Sequence, residues 1–347
     1  MKACAGGMPT RGNSCCRKVS GTGMKFAVFS KARILFVVVL LLCGSASSRI
    51  TGNADQSLII FHAGSLAVPF EKIIEGFKKE NPGVVVLKEI AGSRECARKI
   101  TELHKPCDIL ASADYLVIDQ LLIPRYADWN LKFATNEMSI IFSDKSRRAG
   151  EINGRNWYEI LLDERVSLGR ADPDADPCGY RTIWTMQLAE LYYRKPGLAG
   201  KLLAKRNAHI RPKEVDLLAL LDAGEVDYLF IYRSVARQHG YHYLILPDEI
   251  NLKRADLEDH YRQATVELSG AVPGTRVTQH GGSMVYGVTI PTGAPHPELA
   301  RKFIHYLMDG NKGLKAMEAE GQPSVVPSVC DTFDRLPAEF RRYAKMK

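Results

Sequence analysis

From residue 55 onward, the hydrophobic positions fall into short apolar runs that alternate with segments of helical periodicity. Leu58-Ile59-Ile60-Phe61-His62 has the composition of a buried strand, and Ala63-Gly64-Ser65 turns the chain into a segment where Phe70, Ile73, Ile74 and Phe77 recur at i, i+3, i+4 and i+7. That spacing lines one face of an α-helix. Asn81-Pro82-Gly83 stops the helix, and Val84 to Leu87 reads as a second strand. Ala91-Gly92-Ser93 leads into another helix ending near His104, and Asp108-Ile109-Leu110-Ala111 is a third strand followed by a helix through Leu122. Strict alternation of strand and helix predicts an α/β fold with a mainly parallel sheet flanked by helices.

The pattern resumes after Phe133. Met138 to Phe142 predicts a strand, Trp157 to Leu162 a helix, Val166 to Gly169 a strand, and Tyr180 to Tyr193 a helix reached through the loop Asp172 to Gly179. Arg211-Pro212-Lys213-Glu214 opens a helix to Asp222, with Pro212 suited to its first turn and Gly224 closing it; Asp227 to Tyr232 is the next strand. The chain then runs through Leu244 to Pro247, a polar stretch, the apolar run Met284 to Ile290, and helices over Pro297–Met308 and Asn311–Glu320. Two α/β lobes account for this order: residues 55–135 plus 245–330 as lobe I, 136–244 as lobe II, and 331–347 as a C-terminal tail.

Residues 1–48 differ in kind. They hold Lys2, Arg11, Arg17, Lys18, Lys25, Lys31 and Arg33 and no acidic residue, whereas the formal charge of all 347 residues is only +8. The rest of the chain is therefore nearly neutral, and its composition does not point to nucleic acid as a partner. Lys25, Lys31 and Arg33 precede the apolar run Ile34–Leu42 and the small residues Gly44 to Ser48. A bilayer-spanning helix takes about 20 apolar residues, so this shorter run reads as a secretory signal peptide over 1–48, with Met24 a natural start and the segment before it an extension. The expected location is extracytoplasmic or periplasmic. Cys43 behind the run raises lipidation as an N-terminal anchor, although Leu42 stands where a small residue is usual. Of eight cysteines, Cys96, Cys107, Cys178 and Cys330 lie in the body, without zinc spacing; Cys96 and Cys107 are either a disulfide or two buried thiols.

The candidate chemistry sits at loop positions. Ala63-Gly64-Ser65 and Ala91-Gly92-Ser93 place a hydroxyl and unpaired backbone N–H groups at successive helix starts, which suits either an anion or ordinary helix capping. Asp172, Asp174 and Asp176 crowd one loop, but Pro177 and Cys178 break the calcium-loop pattern. Asp176 could equally cap the following helix, and Glu214 could complement a helix dipole.

Phe61-His62-Ala63-Gly64-Ser65-Leu66, Ala91-Gly92-Ser93, Asp176-Pro177-Cys178-Gly179-Tyr180-Arg181, Arg211-Pro212-Lys213-Glu214 and Asp227 to Ala236 together resemble the archaeal-type molybdate/tungstate-binding proteins of ABC importers. The resemblance spans residues 58–330 in order. It implies the two-lobed type II periplasmic-binding fold with a two-segment hinge, and a non-enzymatic receptor that passes its anion to a membrane permease with a cytoplasmic ATPase. It implies Gly64, Ser65 and Ser93 as anion-binding residues from one lobe and Asp176, Pro177, Cys178, Glu214 and Tyr232 from the other. Asp176 and Glu214 would coordinate the metal centre of the bound tungstate or molybdate; no cofactor is expected, and the protein would act as a monomer. Two carboxylates repel a dianion unless its central atom accepts them as ligands, which tungsten or molybdenum can do and sulfur or phosphorus does not, so the pair would also exclude commoner anions. The sequence does not separate tungstate from molybdate. The alternatives are a receptor for another ligand, such as sulfate or a metal cation, and a secreted α/β hydrolase with Ser65 or Cys178 as nucleophile, against which no GxSxG elbow surrounds either residue.

Overall fold

The computed structural model describes residues 56–347. The leader, with Met24 and Cys43, lies outside the described residues. The chain runs β1 (Ser57–Ala63), α1 (Ala67–Glu80), β2 (Val85–Ala91), α2 (Ser93–Thr101), β3 (Ile109–Ser112), α3 (Tyr115–Leu121) and β4 (Leu131–Thr135). It continues through β5 (Met138–Phe142), α4 (Trp157–Leu162), β6 (Leu168–Ala171), α5 (Pro177–Tyr192), α6 (Leu198–Leu203), β7 (Ala208–Arg211), α7 (Leu218–Ala223), β8 (Tyr228–Tyr232), α8 (Arg233–His239) and β9 (His242–Ile245). The last part holds α9 (Asp248–Asn251), α10 (Glu258–Tyr261), β10 (Thr265–Ser269), β11 (Arg276–His280), β12 (Val285–Thr289), α11 (Pro297–Leu307), α12 (Gly313–Ala319), β13 (Ser328–Val329) and β14 (Ala344–Lys345).

Two five-stranded sheets organise these elements. The first has the order β2-β1-β3-β12-β4 and the second β7-β6-β8-β5-β9. In each, three strands run parallel, as alternating strand and helix requires: β2, β1 and β3 in the first, β7, β6 and β8 in the second. Both sheets are nevertheless mixed. β12 enters the first antiparallel to β3 and β4, and β5 enters the second antiparallel to β8 and β9. A two-residue link, Asn136-Glu137, carries the chain from β4 in the first sheet directly to β5 in the second.

The helices seat on these sheets through the apolar stripes visible in the sequence. α1 buries Phe70, Ile73, Ile74 and Phe77, and Phe77 meets Phe303 of α11 edge to face at 5.2 Å between ring centres. Each such side chain contributes about 1.5–3 kcal/mol by leaving water. Each five-stranded sheet with its helices forms one body, and α5, buried on nearly all sides including Tyr180, Arg181, Trp184 and Met186, is the central helix of the second rather than a surface one.

Local differences from expectation have local causes. Arg211 ends β7 and Pro212 lies outside the helix, which begins as a 3-10 turn at Glu214 and passes into α7; Gly224 closes α7 in the left-handed conformation at φ 77°. The polar stretch hides a hairpin, β10–β11. The C-terminal residues pack rather than trail, with β14 pairing β13 and Phe340 buried against Trp129. Of the two alternatives for Cys96 and Cys107, the structure has the free buried thiols, and Cys178 and Cys330 are free as well. Among the described residues, no helix is long and apolar enough to cross a membrane.

Candidate functional site

The ends of β1 and β2 deliver Gly64-Ser65 and Gly92-Ser93 to one edge of the first sheet. Neither serine is a cap. Ser65 lies inside a 3-10 turn (Gly64–Leu66) and Ser93 is the first residue of α2, and the residues before them make no capping side-chain bond. Each hydroxyl oxygen has a partner within the protein: Ser93 Oγ accepts from the Ala113 N–H at 2.9 Å and so keeps its own proton, and Ser65 Oγ pairs with the Tyr286 hydroxyl at 3.0 Å.

The second body presents Asp176 and Glu214 toward this edge. Asp176 caps α5, its Oδ1 accepting from the Cys178 N–H at 2.8 Å, while Oδ2 accepts from the Glu214 N–H at 3.1 Å. Pro177 takes the first turn of α5, where a missing N–H costs nothing. Gly179 permits that turn to lie on the preceding loop, since a Cβ there would stand 2.5 Å from backbone atoms of Asp172 and Pro173. One cap thus ties together two segments 38 residues apart.

Glu214 is only 1% exposed, and neither carboxylate oxygen has a hydrogen bond of good geometry, although the Asp176 carboxyl and the Ser65 backbone lie within its reach. Burial, and then the Asp176 charge, raise its pKa well above the usual carboxylate range; burial also raises that of Asp176. A methyl group on Gly64 would stand 2.7 Å from Glu214 Oε2, so the carboxylate lies directly against that glycine. Gly64, Ser65, Asp176 and Glu214 are therefore brought together from opposite bodies. Cys178 is buried below them, its thiol directed to the Phe230 carbonyl at 3.6 Å. Burial and the two carboxylates lift its pKa well above the ordinary range, the reverse of an activated nucleophile. Neither Ser65 nor Cys178 is hydrogen-bonded to an imidazole.

Tyr232 ends β8 and accepts a hydrogen bond from Arg181 Nη1 at 3.1 Å. The same guanidinium nitrogen donates to the Ala113 carbonyl at 2.8 Å, and Nη2 stands 3.5 Å from Asp114 Oδ2. Tyr180 donates to that same oxygen at 2.5 Å. Asp114, Tyr180 and Arg181 are missing from the sequence-based set, although Asp114 occupies the third strand-to-helix turn of the first sheet, where the other two turns drew attention. A second meeting of the bodies lies beside it. The Ala175 carbonyl accepts from the N–H groups of Arg94 and Glu95 at 3.1 and 3.2 Å, and a Cβ on Gly92 would stand 2.3 Å from that carbonyl. The start of α2, expected to face an anion, here faces a main-chain oxygen. Among the described residues, no three His, Cys, Asp or Glu side chains form a set able to hold a metal ion by themselves.

Comparison with known proteins agrees with this architecture. Residues 58–321 match the bacterial extracellular solute-binding protein family. A solute-binding protein of Petrotoga mobilis is 45% identical over 313 residues, covering 89% of this chain and 96% of the relative. The molybdate/tungstate-binding protein WtpA of Pyrococcus abyssi is 38% identical over 343 residues, covering 91% of this chain and 98% of the relative. Among solved structures, the periplasmic molybdate-binding protein of Azotobacter vinelandii superposes with a TM-score of 0.58 at 15% identity, covering 78% of this chain and 99% of that one. The sulfate-binding protein SubI of Mycobacterium tuberculosis gives 0.57 at 13% identity, covering 78% of this chain and 88% of that one. At such identities the likeness is one of fold.

Proposed function

This chain belongs to the bacterial extracellular solute-binding proteins, and from that premise we propose that it captures tungstate or molybdate outside the cytoplasm. It then hands the anion to an ABC permease driven by a cytoplasmic ATPase. The observation that carries this reading is Glu214: a buried carboxylate with no well-formed hydrogen bond on either oxygen, beside the carboxylate of Asp176. Such a pair is costly in a folded protein unless something binds it. A six-coordinate tungsten or molybdenum centre would take one oxygen from each carboxylate, converting a repulsion into two bonds. Sulfate offers no such compensation, so the same pair would repel it. Relatives named as molybdate/tungstate-binding proteins, 38% identical over nearly their whole length, support the assignment.

In this reading Gly64, Ser65 and Ser93 donate to the oxo groups from the first body, and Asp176, Pro177, Cys178, Glu214 and Tyr232 enclose the anion from the second. Residues 55–135 with 245–330, and 136–244, are the two lobes; they part about the crossings near 136 and 245 to admit the ligand and close as a monomer around it. The cargo is a transported anion and the protein needs no cofactor. Residues 1–48 serve as the export signal.

The test is native mass spectrometry and calorimetry with tungstate, molybdate and sulfate. The wild-type protein should retain the first two and not sulfate. Asp176→Asn with Glu214→Gln should weaken tungstate binding by a hundredfold or more, on the order of two charged-group bonds lost. Unchanged tungstate affinity in that double variant would sink the coordination role.

A further inference from the structure

Residues 191–213 hold seven Lys and Arg and not one Asp or Glu. The rest of residues 49–347 holds 33 Lys and Arg against 39 Asp and Glu, so a body that is nearly neutral as a whole is strongly positive along one short stretch. The structure draws five of these cations, Arg194, Lys195, Lys201, Lys205 and Arg206, around two adjoining hollows of about 590 and 280 Å³ that share Leu162 and Lys201 as walls. Two carboxylates, Glu159 and Glu164, stand on the same walls, but their hold on the cations is slight. Lys195 reaches Glu159 only at 3.9 Å, between two exposed side chains, and Lys205 gives its ammonium to the Asp163 carbonyl at 2.8 Å. Among the described residues, Arg194, Lys201 and Arg206 pair with no carboxylate, and all three are exposed.

Aromatic groups edge the same surface. Tyr158 lines the smaller hollow, Tyr193 packs on it at 4.6 Å between ring centres, and Tyr192 packs on Tyr193 at 4.9 Å. That row ends in the open: Tyr192 is 44% exposed and its neighbour Leu191 49%. Unpaired cations around exposed aromatic and aliphatic groups match the face of a bilayer, where phosphates attract the cations and the rings settle at headgroup depth. An acidic protein partner would call for an apolar centre closed to water, whereas the middle of this surface is hollow. Leu162 and Glu164 precede β6 and Lys205 and Arg206 precede β7, while Asp176 and Glu214 follow those two parallel strands. Lipid held at one end of the strands leaves the other end clear.

We propose that the surface formed by the end of α5, α6 and the start of β7 docks the protein onto an anionic phospholipid bilayer, with Lys201 and Arg206 on headgroup phosphates and Tyr192 at the interface. The contact is electrostatic and reversible, and it confines the receptor to the membrane without occupying its cleft. The inference uses only the extracytoplasmic placing of the chain, not the identity of its cargo.

The experiment is co-sedimentation of the full exported protein with vesicles, comparing mixed phosphatidylglycerol and phosphatidylcholine with phosphatidylcholine alone, and melting temperature as a check on folding. The wild-type protein should sediment more strongly with the anionic vesicles and leave them as salt rises. Lys201→Gln with Arg206→Gln should weaken that binding about thirtyfold, each cation near an anionic surface being worth about fivefold. Tyr192→Ser should weaken it in the same direction. Lys78→Gln with Lys79→Gln, which removes as much charge from the exposed end of α1, should leave it unchanged. All variants carry the same N-terminal segment, so whatever that segment adds to lipid binding cancels between them. Tungstate calorimetry on the same samples reports on the cargo alone, so the two readings can fail separately. A Lys201/Arg206 variant that sediments like wild type, or an α1 variant that loses as much, would overturn the proposal. If the wild-type protein ignores the vesicles yet retains polyglutamate, and the Lys201/Arg206 variant does not, the surface reads an acidic polypeptide and the bilayer is the wrong partner.

Discussion

Gly64 and Glu214 touch across the two bodies so closely that the smallest added side chain, a Cβ on the glycine, would stand 2.7 Å from the Glu214 Oε2 atom. Gly64 belongs to the turn after β1 and Glu214 to the turn before α7, so their contact exists only when the bodies are together. Gly64→Ala should therefore act on closure. We expect tungstate affinity to drop about ten- to hundredfold, the effect of forcing one methyl group into a packed contact. The melting temperature of ligand-free protein should stay near that of wild type. Calorimetry with small-angle scattering checks both, and a wild-type affinity would show that the glycine is not at the closing contact.

The Tyr180 hydroxyl and Asp114 supply a second bridge, at 2.5 Å, with Arg181 beside them. Tyr180→Phe removes one hydrogen bond to a charged group, about 1.5–3 kcal/mol in a buried setting. The loss should appear as weaker ligand binding more than as a lower melting temperature. Asp114→Ala is harsher because it strands the buried Arg181 guanidinium, and a cost of about 3–5 kcal/mol should be visible in chemical denaturation. Equal stability of the two variants would mean that Arg181 is satisfied by Ala113 and Tyr232 alone.

His62 gives a stability test independent of the ligand. It is fully buried at the end of β1, with Nδ1 on the Ala63 carbonyl at 2.9 Å and Nε2 unpartnered, and burial lowers its pKa from 6.5 to about 4. The unfolded chain therefore takes up this proton first as pH falls. Stability is full above about pH 6.5 and declines between there and pH 4, by about 3 kcal/mol in total. His62→Gln should flatten the stability profile in that window relative to wild type. Parallel profiles for the two proteins would remove His62 as the cause.

Much of this fold is legible in the chain because the buried parallel strands and the amphipathic helices carry strong, repeated signals. Met138–Phe142 is a strand over the same residues that its apolar run predicts, and Gly224 ends α7 where a left-handed residue is needed. The hairpin β10–β11 is not legible, since four of five residues in Arg276–His280 are exposed and no alternation marks it. It is held by polar contacts instead: Asp174 accepts from the Ser269 N–H and hydroxyl at 2.7 and 2.9 Å, and Thr265 exchanges hydrogen bonds with Gln187. The candidate site divides along the same line. Asp176 and Glu214 stand out by residue type, but their meeting depends on a cap bond between separate elements. Asn136 and Gln322 look like ordinary loop polars, and only the structure shows both donating to the buried Tyr286 hydroxyl beside Ser65.

The contact between Ala175 and the start of α2 bears on how specificity and closure are divided. The oxygen that engages the Arg94 and Glu95 amides belongs to the main chain, so no side-chain identity at position 175 is read there. The fit is set instead by what Gly92 lacks. This meeting of the two halves is thus written in peptide groups, whereas the Tyr180–Asp114 bridge beside it is written in side chains. A substitution at position 175 that keeps the backbone in place should therefore leave this contact unchanged.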